Sequence, residues 1–220
     1  MLRAVIFDVD GTIVDSNEFH VQAWDESFRR YGKAFPIEQL RAHIGKGGDQ
    51  YLPNFLTAAE MREFGAELDE ERARLYKHKY LPLVRPFPGV RDLFERIHLA
   101  GRRIALASSG KTQELDHYVA LTHTGAFVDV QTTSDDVFHS KPHADVFMAA
   151  LRHLRVGADE AVAVGDSPFD VIAAKRITLS TIGLLCGGFA EVDLRSAGAV
   201  AVFRDPANLL ASYERSPLGG

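Results

Sequence analysis

Short apolar runs recur along the chain at 2–7, 103–107, 127–131, 161–164, 180–185 and 200–203. They are rich in β-branched residues, and most are continuous instead of alternating with polar positions. That pattern predicts strands buried on both faces, as in a parallel sheet. Between them, apolar residues return at helical spacing over 89–100, 111–121, 142–154 and 168–176. Strand–helix alternation implies right-handed crossovers and an open, Rossmann-like α/β sheet.

One stretch, 16–84, breaks the alternation and holds no good strand. Phe19, Ala23, Phe28 and Tyr31 recur at helical spacing, with Asp15 or Ser16 to cap the start and Gly32 to end it. Ile37, Leu40 and Ile44 repeat the pattern before Gly45. A third run over 57–80 sets Met61, Phe64, Leu68 and Leu75 among many charges. Trp24 and Phe28 are the natural centre of such a helical unit. ArgProPheProGly at 85–89 is a stiff return to the sheet. The expected organisation is therefore an α/β core of residues 1–15 and 85–220 with an α-helical cap of residues 16–84. An insertion after the first strand lies over the carboxyl end of the sheet, where open α/β folds bind ligands.

Composition narrows the function classes. The 220 residues are 46% hydrophobic and 25% charged, which is ordinary globular usage and excludes a fibre or a disordered chain. A net charge of −5 argues against nucleic acid as a partner, because that needs a basic footprint. No apolar run approaches the ~20 residues of a membrane helix, and the start MLRAVIFDVDGT lacks the long apolar region of a signal peptide. Cys186 is the single cysteine, so no intrachain disulfide forms. A soluble cytoplasmic protein is expected. So is a monomer, since no long apolar seam is present.

Candidate chemistry gathers at the expected strand ends. Asp8 and Asp10 follow the first run and point the same way in an extended chain. Two close carboxylates need a cation or a shared proton. Ser108, Ser109 and Gly110 follow the second run, where hydroxyls and amides at a helix start make an anion site. Gly110-Lys111-Thr112 mimics the end of a nucleotide-binding P-loop, but Ala105 stands where that loop needs its first glycine. Lys141 precedes Pro142 and the next helix. Asp166 follows the fourth run directly, with Asp170 four residues on. Carboxylate oxygens without histidine suggest Mg²⁺, and facing hydroxyls and an ammonium suggest a phosphate. His139 and His143 have zinc-like spacing, but Pro142 lies between them, so a shared helix and a metal site are not expected.

Together, DVDGT at 8–12, Ser108, Lys141 before Pro142 and GDSPFD at 165–170 resemble the motifs of the haloacid dehalogenase-like superfamily of phosphotransferases. The cap segment EFHVQAWDESFRRYG at 18–32 is similar to caps of its β-phosphoglucomutase and phosphoglycolate phosphatase branch. The resemblance implies a Mg²⁺-dependent phosphatase acting on a small phosphorylated metabolite. Asp8 would be the nucleophile that becomes an aspartyl-phosphate, and Asp10 the general acid and then base. Mg²⁺ would sit on the Asp8 carboxylate, the Asp10 carbonyl and Asp166. Ser108 and Lys141 would hold the phosphoryl group, and Asp170 would support the site. Gly11, Thr12, Ser109 and Gly110 would line the phosphate site, with Lys46 and His20 reaching in from the cap. A sugar-phosphate mutase on the same machinery is the alternative. Two residues argue against it: Gly48 where that branch carries a cap arginine, and Gly165 where it carries an acid. Asp10 argues against a dehalogenase, which lacks it, and the intact acids argue against a silent binding protein.

Overall fold

The computed structural model describes residues 1–219. Six strands form one parallel sheet in the order β5-β4-β1-β6-β7-β8. They are β1 (Ala4–Phe7), β4 (Arg103–Ala107), β5 (Val130–Thr132), β6 (Ala161–Gly165), β7 (Ser180–Leu184) and β8 (Ala201–Phe203). β1 is central and fully buried. Its alternate residues feed two cores, as the period of two requires. Val5 and Phe7 join a cluster with Phe94, Ile97 and Leu115 on one face, while Ala4 and Ile6 join Phe147, Ala150 and Leu154 on the other. Burying an Ile or Phe contributes about 1.5–3 kcal/mol, so this one short strand anchors both layers.

Helices α6 (Val90–Leu99), α7 (Thr112–Thr122), α8 (Asp145–Leu154), α9 (Pro168–Lys175), α10 (Glu191–Ala197) and α11 (Pro206–Ala211) flank the sheet. The last two fall in stretches where the apolar spacing predicts no helix. β5 starts three residues later than its apolar run. Phe127 and Val128 pack against the core from the preceding turn, and the Asp129 carboxylate takes the Ile104 N–H at 2.8 Å. α8 begins at Asp145, not near 142, which leaves Lys141 in a loop.

Between β1 and β4 the chain forms α1 (Asn17–Arg30), α2 (Ile37–Arg41), α3 (Gly48–Tyr51), α4 (Ala58–Glu60) and α5 (Ala66–Leu75). α4 and α5 belong to one long helical run with widened turns at Met61–Gly65 and Tyr76–Tyr80. Trp24, Phe28, Leu40, Tyr51 and Leu68 form a separate buried cluster, with the Trp24 and Tyr51 rings stacked at 4.4 Å. The two passages between this unit and the sheet pair with each other, as β2 (Val14–Asp15) against β3 (Arg85–Pro86). The far end of the run does not stay in the helical unit: Tyr76, Tyr80 and Leu81 sink into the main core beside Phe94. Among the described residues, no helix is long and apolar enough to cross a membrane.

Candidate active site

Strand register assembles the site. β1 lies between β4 and β6, with Phe7 level with Leu106 on one side and Val164 on the other. The chain leaves β1 toward β4 and later returns to β6, so the β1/β6 boundary is where the winding reverses and a crevice opens. Asp8 and Asp166 lie just beyond the carboxyl ends of these two strands. The turn after Asp8 places Gly11 at φ +73°, where a Cβ would lie 2.2 Å from the Asn17 side chain and 2.5 Å from Asp166. Only glycine fits there.

Lys141 reaches this crevice from its loop and is fully buried. Its ammonium donates to the Asp8 Oδ1, to the Ala107 carbonyl at 2.8 Å and pairs with the Asp170 carboxylate at 2.8 Å. Asp170 also accepts from the Ser167 hydroxyl at 2.6 Å and from the Ser167 N–H at 3.0 Å, the second as its half of the capping box with which Ser167 starts α9. Asp170 thus holds the lysine directly, without an intervening water.

Electrostatics follow from burial. Removal from water, with Asp170 close by, pushes Asp8 up to about 7 despite Lys141. Burial and the Asp8 and Asp170 charges push Asp166 well up too. Burial alone would lower Lys141, but its two carboxylate partners raise it instead. Asp10 is the exception. Burial raises it, but His20, Ser16 and Tyr118 outweigh that and hold it below its ordinary value. One ammonium among three buried acids leaves an excess of negative charge. Asp8, Asp166 and Asp170 bring carboxylate oxygens within 4.8 Å of one another. Since Asp170 is committed to Lys141 and Ser167, the hard oxygens of Asp8 and Asp166 are the pair suited to a divalent cation such as Mg²⁺.

The other expected residues divide. Ser16 does not cap α1 with its side chain. Its hydroxyl donates to Asp10 Oδ1 at 2.6 Å, and His20 Nε2 lies 3.0 Å from the same oxygen. Thr12 lies between the two strand-end acids. It is fully buried, with its hydroxyl 3.0 Å from Asp8 Oδ2 and 3.2 Å from Asp166 Oδ1. The Gly110 N–H is taken by the Ser108 hydroxyl at 2.9 Å, and Ser109 lies 3.4 Å from the Gly45 carbonyl. Lys46 lines the crevice but is occupied with His43 at 2.9 Å and lies over the Phe169 ring. The proline between His139 and His143 does not keep them apart. The loop ahead of α8 brings their rings to 4.8 Å and gathers both near Asp145, where Arg176 meets His143 at 3.4 Å.

Sequence reasoning missed Asn17, Arg72 and Glu114. Asn17 donates to Asp166 at 2.8 Å and to the Gly187 carbonyl at 2.9 Å. Arg72 and Glu114 line the crevice with Asp8, Asp10, Trp24 and Gly48. Arg72 pairs with Asp69 at 3.1 Å, lies over the Trp24 ring, and leaves its Nε unpaired. A signal was available: Leu68, Arg72, Tyr76 and Tyr80 recur every four residues, so one cation rides on a buried helix face. The cap is seated on the core here. The Gly47 N–H donates to the Ser140 hydroxyl at 2.9 Å, and Asp49 accepts from the Ser140 N–H at 3.2 Å.

Against known families, residues 5–184 match the model of haloacid dehalogenase-like hydrolases. This chain belongs to that family. Among curated haloacid dehalogenase-like relatives it is 27% identical to a phosphorylated carbohydrates phosphatase of Thermotoga maritima, over 92% of this chain and 94% of that one. It is 29% identical to a validoxylamine A 7'-phosphate phosphatase of Streptomyces hygroscopicus subsp. limoneus, over 87% and 89% of the two chains. A solved hydrolase from Pseudomonas syringae superposes with a TM-score of 0.88 at 28% identity, over 97% and 98%. The chain is a haloacid dehalogenase-like phosphoric monoester hydrolase.

Proposed function

We propose that this protein is a Mg²⁺-dependent phosphatase that removes the phosphoryl group from a small phosphorylated metabolite, with sugar phosphates ahead of phosphoglycolate. The observation that carries the reading is the buried Asp8–Lys141 pair, with Asp10 and Asp166 beside it, at the floor of a crevice roofed by the cap. Asp8 attacks phosphorus to form an aspartyl-phosphate. Lys141 orients that carboxylate and stabilises the charge gathering on the phosphoryl oxygens. Asp10, ionised at rest, takes up a proton as the anionic substrate enters, gives it to the departing oxygen, then takes one from the water that hydrolyses the intermediate. Asp8 and Asp166 would hold Mg²⁺, which neutralises charge as two anions approach. Arg72 and Glu114 offer a cation and a carboxyl to the hydroxyls of a polyol, which favours the carbohydrate side.

The absence of the cap arginine at Gly48 and of the acid at Gly165 weighs against the mutase alternative. A Cβ at Gly48 would lie 2.5 Å from the Asp69 carboxylate, and one at Gly165 would lie 2.6 Å from the Asp170 Cβ. Neither position takes a side chain without rearrangement. The test is phosphate release from sugar phosphates, phosphoglycolate and 4-nitrophenyl phosphate, with and without a chelator. Turnover that stops in chelator and returns with Mg²⁺ is expected. Full turnover in chelator, or isomer formation from a hexose 1-phosphate with a bisphosphate primer, overturns the reading.

A further inference from the structure

The Asp10 carboxyl is fixed by more than its immediate partners. The His20 ring beside Oδ1 lies flat on the Tyr76 ring, with centroids 3.9 Å apart and planes 8° from parallel. The Tyr76 hydroxyl meets the Tyr118 hydroxyl at 2.5 Å. One arm therefore runs from Asp10 to the tyrosine pair, through the His20 imidazole and its stack on the Tyr76 ring. Both tyrosines are buried, at 0% and 1% exposure. Phenylalanine would fill either space equally well, so packing alone does not account for the hydroxyls.

The pair also spans the boundary between the two parts of the molecule. Tyr118 is on α7 of the core, and Tyr76 opens the widened turn Tyr76–Tyr80 at the end of the long cap helix. Such a turn re-aims side chains relative to a regular helix. Here it buries Tyr76 and Tyr80 together in the main cluster. The hydroxyl bond ties the Tyr76 ring, on which His20 lies, to α7 of the core, so loss of either hydroxyl frees the same stack. The charged groups nearby are His20 on α1, Glu114 on α7, Arg72 on α5 and Asp8.

We infer that Tyr76 and Tyr118 are positioning residues for Asp10 and act as one unit that is complete only when the cap is seated. The inference rests on the reading of Asp10 as the proton-transfer group. In the step concerned, the phosphorus–oxygen bond to the leaving group breaks as the bond to Asp8 forms, and the Asp10 proton passes to the departing oxygen. A carboxyl rotated away from that oxygen harms poor leaving groups most, because they need the proton.

The experiment compares wild type, Tyr76→Phe, Tyr118→Phe and the double variant on 4-nitrophenyl, phenyl and 4-methoxyphenyl phosphate. Each single variant should lower kcat about tenfold for the poorer leaving groups, about threefold or less for 4-nitrophenyl phosphate, and leave KM nearly unchanged. The double variant should be no worse than the more impaired single one, as expected for members of one chain. Equal losses along the series, no loss, or independent multiplying losses would overturn the inference. If one variant does not fold, the other single variant carries the leaving-group test. A wild-type protein inert toward all three esters contradicts the phosphatase reading itself, whereas an active one with a flat series contradicts only the role of the tyrosines.

Discussion

The strand ends of the sheet and the cap face above them are built on different rules. At the strand ends, each chemical group follows an apolar run, and register decides what it meets. Phe7 is level with Val164, so the acids just beyond them share one crevice. On the cap face, the groups come from a loop at 45–49 and from a helical run with two widened turns. Their direction depends on helix phase and on how far the unit leans on the core. The floor of the site is rigid because it is the end of a buried sheet. The roof is held by contacts that can be exchanged.

If that contrast is right, changes in the floor should abolish chemistry and changes in the roof should alter recognition. The largest effect belongs to Asp8→Asn, which leaves no nucleophile for the intermediate. Phosphate release should fall by more than about a thousandfold, and hydroxylamine should trap no acyl-phosphate. Residual turnover of a few per cent would move the nucleophile elsewhere. Lys141→Ala comes next and should strike twice. It strips charge from the attack and leaves Asp8 and Asp170 buried without their partner. Thermal or urea unfolding should show a loss of about 3–5 kcal/mol, along with a turnover decrease of about a hundredfold or more. A variant as stable as wild type would mean that the three-way ion pair is not what holds the loop ahead of α8.

The floor was legible in the sequence for the same reason that it is rigid. Asp8, Asp10 and Asp166 each sit just after a continuous apolar run, and such runs fix both strand and direction. What hydroxyls do there was less legible. Ser16 has the sequence position of a helix cap, yet its proton goes to Asp10. Thr12 follows the glycine of the first motif, and its hydroxyl lies between Asp8 and Asp166, which spacing alone does not foretell. A hydroxyl goes to the best acceptor in three dimensions, and sequence spacing does not rank acceptors. The roof was read as helices around Trp24 and Phe28, but not as Arg72 over Trp24 or Tyr76 against Tyr118. Those contacts depend on the helix phase that the widened turns reset. The α8 start was placed early for a related reason: the apolar spacing is right, but Lys141 is drawn off into the crevice.

A smaller effect is expected from Arg72→Ala, which tests whether the roof reads the substrate. Its guanidinium lines the crevice, so it has charge to offer a ligand, although the unpaired Nε is itself buried. KM for a sugar phosphate should rise about tenfold, corresponding to the ~1.4 kcal/mol of one charge-assisted hydrogen bond, with kcat changed less. For 4-nitrophenyl phosphate, which has no hydroxyls to recognise, KM should change less. Equal increases for both would assign Arg72 to cap packing over Trp24 instead of recognition.

The smallest effect should come from Ser140→Ala, where roof and floor touch. Ser140 precedes Lys141, and its hydroxyl accepts the Gly47 N–H while donating to Asp49. The alanine keeps the Ser140 N–H on Asp49, so only part of the latch is lost. Asp49 also keeps the Gln50 side chain at 3.0 Å. Two hydrogen bonds are lost, and at about 0.5 kcal/mol net each, the low end for bonds whose partners keep other contacts, the seated form should lose roughly fivefold in population relative to the open one. That loss should appear as a KM increase of about two- to fivefold that is shared by every substrate, because the latch touches none of them. Thermal stability of the core should hardly move. A substrate-selective change would place Ser140 in recognition. A fall in kcat as deep as that of Lys141→Ala would show that the latch does more than seat the cap: it sets the lysine one residue away, and the separation between a rigid floor and an exchangeable roof would fail at this junction.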